Sequence, residues 1–138
     1  MSDSPIQNQI RIRGLAEVVL NVRNMDAALG FYQGVLGLVR VSPPEKPNPV
    51  FLRAGAATAS LPSLVVLVRL PEDAAEFTAP RTLHHLALAL DAEGFETARA
   101  ALEAAGYVPR GGQHPILASR TMYVDDPDGN EVEFIAPA

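Results

Sequence analysis

Three side chains in this sequence have the types and the placement to hold a divalent cation: Glu17, His85 and Glu133. Each sits in a β-type run, where successive side chains alternate between two faces. In the first run Glu17, Val19 and Asn21 share a face, opposite Val18, Leu20 and Val22. Around His85 the same alternation groups His85, Ala87 and Ala89 against Leu86, Leu88 and Leu90. In the last run Glu131 and Glu133 alternate with Val132 and Phe134. The large apolar faces pack on helices, which puts Glu17, His85 and Glu133 on the second face beside small residues that leave room for a cavity. One imidazole and two carboxylates suit Fe(II), Mn(II), Zn(II) or Mg(II). Without a cation, two carboxylates in one cavity repel, and one is driven toward its neutral form. The pattern alone also admits plainer roles: a solvated or ion-paired Glu17, a structural His85, a loop histidine at His114. Alternation turns His84 to the face opposite His85 and gives it no role.

The elements that position these groups come twice. Residues 15–22 are rich in β-branched types and read as a strand. Asn24 and Asp26 offer N-caps for a helix over 25–36, stopped at Gly37. Strands follow at 38–41, 50–54 and 64–70, separated by a loop over 42–49 with four prolines and a turn over 55–62. The order then repeats: a strand at 84–90, a helix from the Asp91 cap to residue 105, a strand at 107–110, a turn over 111–113 and strands at 119–125 and 131–135. The Asp126-Pro127-Asp128-Gly129 sequence joins the last two as a tight turn. The halves are offset by about 68 to 70 positions, as a duplicated supersecondary unit requires. Glu17 then falls against His85, and Gly37 against Gly106. The expectation is an α+β fold of two tandem βαβββ modules over residues 13–72 and 80–138, after a flexible tail at 1–12. If a pseudo-twofold relates the halves, three strands bring Glu17, His85 and Glu133 together.

The 138 residues suit one domain. Lys and Arg number 11 against 16 Asp and Glu, a net of −5, which argues against a nucleic-acid partner. There is no cysteine, which excludes disulfides, thiolate catalysis and Cys-ligated zinc or iron–sulfur centres, so a metal must be held by His, carboxylate or water. No apolar run approaches a membrane span of about 20 residues. The N-terminal stretch lacks the basic-then-apolar plan of a signal peptide. The expectation is a soluble cytoplasmic protein with a small-molecule substrate and no membrane partner.

Three stretches together resemble the vicinal oxygen chelate superfamily, the glyoxalase, bleomycin-resistance and extradiol-dioxygenase group. They are 15–39, with its opening strand, helix and FYQGVLGL signature; 82–91, TLHHLALALD; and 122–134, MYVDDPDGNEVEF. The resemblance implies paired βαβββ modules whose sheets curl around a metal cavity, and a homodimer. It implies Glu17, His85 and Glu133 as metal ligands, with Fe(II) or Mn(II) foremost and Zn(II), Ni(II) or Mg(II) as alternatives. A fourth ligand, used by glyoxalase I-like members, would fall at or near Val66, which is apolar, so the three-ligand set of extradiol dioxygenases fits better. Tyr123 and His114 match that group's Tyr and His in the same hairpin, which implies Tyr123 as a substrate hydrogen-bond donor and His114 as a proton donor. Two departures stand out: Glu17 replaces the usual His, and residues 61–63 carry no titratable group where that group has an acid–base His. Phe51 and Tyr123 are expected in the cavity wall. The implied activity is metal-dependent chemistry on a small substrate with two chelating oxygens, with extradiol ring cleavage as one form. The alternatives are a glyoxalase- or epimerase-like isomerase or lyase, and a metal-free drug-binding protein.

Overall fold

The computed structural model describes residues 9–55 and 61–138. Residues 56–60 of the expected turn over 55–62 and the first eight residues of the tail lie outside them. Two four-stranded mixed sheets carry the chain, with identical strand order. The first contains β1 (Glu17–Val22), β2 (Val39–Arg40), β3 (Val50–Arg53) and β4 (Leu64–Arg69), ordered β1-β4-β3-β2. The second contains β5 (Leu86–Ala89), β6 (Arg110–Gly112), β7 (Ser119–Asp125) and β8 (Glu131–Pro137), ordered β5-β8-β7-β6. In each sheet the first strand runs parallel to the fourth, and the others pair antiparallel.

Local sequence explains each helix. Asn24 caps α1 (Met25–Leu29), its side chain accepting the Ala27 N–H at 3.0 Å. The expected single helix over 25–36 does not stay α: Gly30–Val35 widens into a π-helical turn, with the Leu36 N–H donating to the Phe31 carbonyl at 2.9 Å. Both Phe31 and Tyr32 are buried in that turn. Gly37, at φ +76°, ends it in a conformation that β-carbons resist. In the second half Asp91 accepts the Gly94 N–H at 2.7 Å, and α2 (Gly94–Ala104) starts there, two residues later than an Asp91 cap implies.

The apolar strand faces meet the helices as the alternation requires. Leu20, Val22, Val65, Leu67 and Leu52 from the first sheet join Val132, Phe134, Met122 and Val124 from the second in one buried cluster. Side chains lock the halves together. The Tyr32 hydroxyl donates to Asp126 Oδ2 at 2.6 Å across 94 residues of sequence, in a buried setting. The Arg23 N–H donates to Asp128 Oδ1 at 2.9 Å. The 126–129 turn therefore does more than reverse the chain. Its carboxylates receive the first module's helix and strand end, which fixes the root of β8, the strand that carries Glu133. The first residues of the fifth strand depart from expectation. His84 and His85 precede β5 rather than open it. The expected strand at 107–110 begins only at Arg110, and Gly111 and Gly112, expected in a turn, belong to β6.

Among the described residues, no helix is long and apolar enough to cross a membrane.

Candidate metal site

Cross-strand register builds the second face of the second sheet into a row of polar groups. Glu133 stands opposite Ala87 on one side and Tyr123 on the other, and Tyr123 stands opposite Arg110. Glu131, two residues before Glu133 on the same face, stands opposite Asp125. The matching row of the first sheet is apolar. Val66 lies opposite Val19, two residues after Glu17, just as Glu133 lies opposite Ala87, two residues after His85. Register thus equates Glu133 with Val66, which is buried and has no donor. One module supplies polar groups, and the other supplies a wall with a carboxylate at its rim.

The centre of the polar row is His85 beside Glu133. His85 Nε2 lies 3.1 Å from Glu133 Oε1. The Glu133 side chain is only 3% exposed, and its second oxygen, Oε2, has no hydrogen-bond partner among the described residues. A buried charged oxygen left unpaired is costly. A cation between the imidazole and the carboxylate removes that cost, and donor atoms about 3 Å apart suit neighbouring ligands on one ion. The pair His85–Glu133 therefore fits a divalent metal on an observation independent of any resemblance.

Glu17 is exposed and stands at the start of β1. It shares with His85, Ala87 and Ala89 a cleft of about 460 Å³ between the two sheets, which Ser63 and Leu64 also line. The small side chains of Ala87 and Ala89 keep it open, as expected. Among the described residues, the His, Asp and Glu side chains with ligand atoms all within 4.8 Å of one another are instead His84, His85 and Glu131.

Tyr123 sits against His85, ring centroids 6.1 Å apart and nearly perpendicular. Its ring lies over Gly112: a β-carbon at 112 would come within 2.5 Å of Cε1. Gly112 is therefore a seat for the ring. His114 is engaged with its own loop, Nδ1 accepting the N–H groups of Ile116 and Leu117 at 3.1 and 2.9 Å. Any proton it donates must come from Nε2. Phe51, expected in the cavity wall, lines a different hollow with Pro43, Asn48 and Pro49.

The expectation that His84 points away from His85 is overturned. The two rings meet at 5.0 Å, with Nδ1 atoms 2.8 Å apart. Alternation holds only within a strand, and β5 begins at Leu86. Glu131 was also missed as a site group. Its presence on the Glu133 face was legible in the E-V-E spacing, but its proximity to the His pair was not.

Comparison with known proteins bears on these features. The model of the Glyoxalase/Bleomycin resistance protein/Dioxygenase superfamily matches residues 14–134. No curated protein matches the chain. Among solved structures, a glyoxalase/dioxygenase from Nostoc punctiforme superposes with a TM-score of 0.73 at 19% identity, covering 99% of both chains. The fosfomycin resistance protein FosX from Listeria monocytogenes gives 0.65 at 18% identity, covering 93% of this chain and 96% of its own. Lactoylglutathione lyase from Agrobacterium tumefaciens gives 0.64 at 22% identity, covering 91% and 95%. At these identities the likeness is one of fold.

Proposed function

The chain belongs to the Glyoxalase/Bleomycin resistance protein/Dioxygenase superfamily, and from that premise we propose that it is a metal-dependent enzyme acting on a small substrate through two adjacent oxygens. The observation that carries this reading is the buried Glu133 carboxylate, one oxygen on His85 Nε2 and the other without a partner. His85 and Glu133 hold the cation, and Glu17 completes the set from across the cleft. A bound divalent ion supplies Lewis-acid polarisation of the substrate oxygens and stabilises the anion formed from them. The residues do the rest. Ala87 and Ala89 leave space for the substrate beside His85. Tyr123, seated over Gly112, donates its hydroxyl to a substrate oxygen. Two carboxylates make the site more anionic than a His-rich one, which favours Fe(II) or Mn(II).

Ring cleavage of a catechol is the form to test first, because Tyr123 stands beside the His–Glu pair where a catecholate donor is needed. The assay is a catechol panel with Fe(II) under air. Formation of ring-cleavage product with loss of O2 is expected, and no product across the panel refutes the dioxygenase form. A second reading, an isomerase or lyase on a carbonyl substrate, is favoured by His114, whose Nδ1 is committed to its own loop, and by the lack of a titratable group at 61–63. Proton exchange next to the carbonyl without O2 consumption distinguishes it. A metal-free drug-binding protein would leave Glu133 Oε2 without a partner. The assembly we propose is a homodimer, with β1, β2, β5 and β6 as the end strands available for pairing, acting in the cytoplasm.

A further inference from the structure

We propose that His84, His85 and Glu131 form a second site, for a borderline divalent cation such as Cu(II) or Zn(II), on the outer nitrogen of the His85 ring. A carboxylate only accepts, so the 3.1 Å contact with Glu133 Oε1 places the His85 proton on Nε2. In the neutral ring Nδ1 then carries the lone pair, and it lies against His84. A carboxylate that fixes a histidine through one nitrogen while the other binds metal is a recurrent arrangement around bound ions. Here Glu133 plays that orienting part for Nδ1.

The outer atoms are already gathered. The Nδ1 atoms of His84 and His85 are 2.8 Å apart, a separation that in the metal-free protein needs one shared proton. Neighbouring imidazole ligands at about 2.0–2.1 Å from a common ion lie roughly 2.9–3.4 Å apart, so exchange of that proton for a cation asks for a few tenths of an ångström. A Glu131 carboxylate oxygen lies within 4.8 Å of a ring nitrogen on each histidine. Glu131 is also held by Arg110, whose Nη2 contacts Oε2 at 3.1 Å. A carboxylate with one oxygen on a guanidinium keeps the other for a ligand. His84 is exposed, and His85 and Glu131 are half-buried, so an ion reaches the site from solvent. Two imidazoles and one carboxylate select Cu(II) or Zn(II) over Mn(II) or Mg(II).

This site takes a ligand from the His85 ring and its orientation from Glu133, both in the proposed inner set, but needs no ion bound there. A neutral imidazole has one lone pair, so the two positions compete for His85. The inner ion must displace the Nε2 proton; the outer ion leaves it in place.

The test is titration of the metal-free protein with Cu(II), read by electron paramagnetic resonance, where nitrogen couplings count imidazole ligands. The wild type is expected to bind with two coupled nitrogens. His84→Ala, an exposed change, is expected to show one nitrogen and at least ten-fold weaker binding. Glu131→Gln should weaken binding and keep two nitrogens, and Glu17→Ala should change neither property. A wild-type signal with one nitrogen, or binding that His84→Ala and Glu131→Gln leave intact, overturns the proposal, as does the absence of stoichiometric binding. Failure of the inner set alone reads differently: the two-nitrogen signal persists while the metal content of the purified protein is indifferent to Glu17→Ala.

Discussion

Glu133→Gln separates a metal ligand from a structural partner of His85, because the two roles predict opposite signs. In the metal-free protein, Glu133 buries a charge with one oxygen unpartnered. Gln keeps the oxygen that accepts from His85 Nε2 and replaces the unpaired charged oxygen with a neutral amide, which is cheaper to bury. The metal-free variant is therefore expected to be at least as stable as wild type. With Mn(II) added at one hundred times its dissociation constant, wild type should gain about 2.7 kcal/mol. At this size that corresponds to a rise of roughly 5–11 °C in Tm. The variant, having lost a ligand, should gain less than about 1 kcal/mol under the same conditions. Thermal denaturation of both proteins with and without Mn(II) measures all four values. If the metal-free variant loses about 1–3 kcal/mol, as the removal of a useful buried hydrogen bond would cost, and both proteins respond equally to Mn(II), the reasoning is wrong.

Other consequences follow from the same geometry. Tyr32→Phe removes the buried hydrogen bond to Asp126, which still accepts from Asp128 N–H, Asn130 N–H and the Asn130 amide; a loss of about 1–2 kcal/mol is expected in urea denaturation. Burial pushes the Asp128 carboxyl above its usual 3.8, against the Arg23 N–H it accepts. A raised folded pKa means that this stability is present below 3.8 and is lost as pH rises through the folded value. Asp128→Asn, which keeps the acceptor, should therefore gain on wild type as pH rises through the carboxylate range, and denaturation at several pH values checks the sign. Gly112→Ala should unseat the Tyr123 ring and lower kcat/KM to the level of Tyr123→Phe without changing metal content.

How much of this was legible before the structure depends on the range of the interaction. The strand–helix–strand order came through because alternation and caps are local. Val18, Leu20 and Val22 declared their face, and Asn24 its helix start, whereas the helix expected from Asp91 begins at Gly94. The facing of Glu133 was legible for the same reason. What alternation could not reach was the backbone just outside β5. His84 and His85 lie before the ladder begins, so period-two reasoning sent His84 to the wrong side. The π-helical turn at Gly30–Val35 was invisible because an apolar pattern cannot distinguish a helix from its wider form. The role of the 126–129 turn was likewise out of reach, since Tyr32 and Asp126 are 94 residues apart in sequence.

If Glu17, His85 and Glu133 hold one functional metal ion, purified protein should carry it. The most direct test is elemental analysis of anaerobically purified protein, beside Glu17→Ala and His85→Ala. About one Fe or Mn per chain is expected, as a single three-ligand site requires, and is lost in both variants. A metal-free wild type that takes up no Fe(II) or Mn(II) on reconstitution would contradict it.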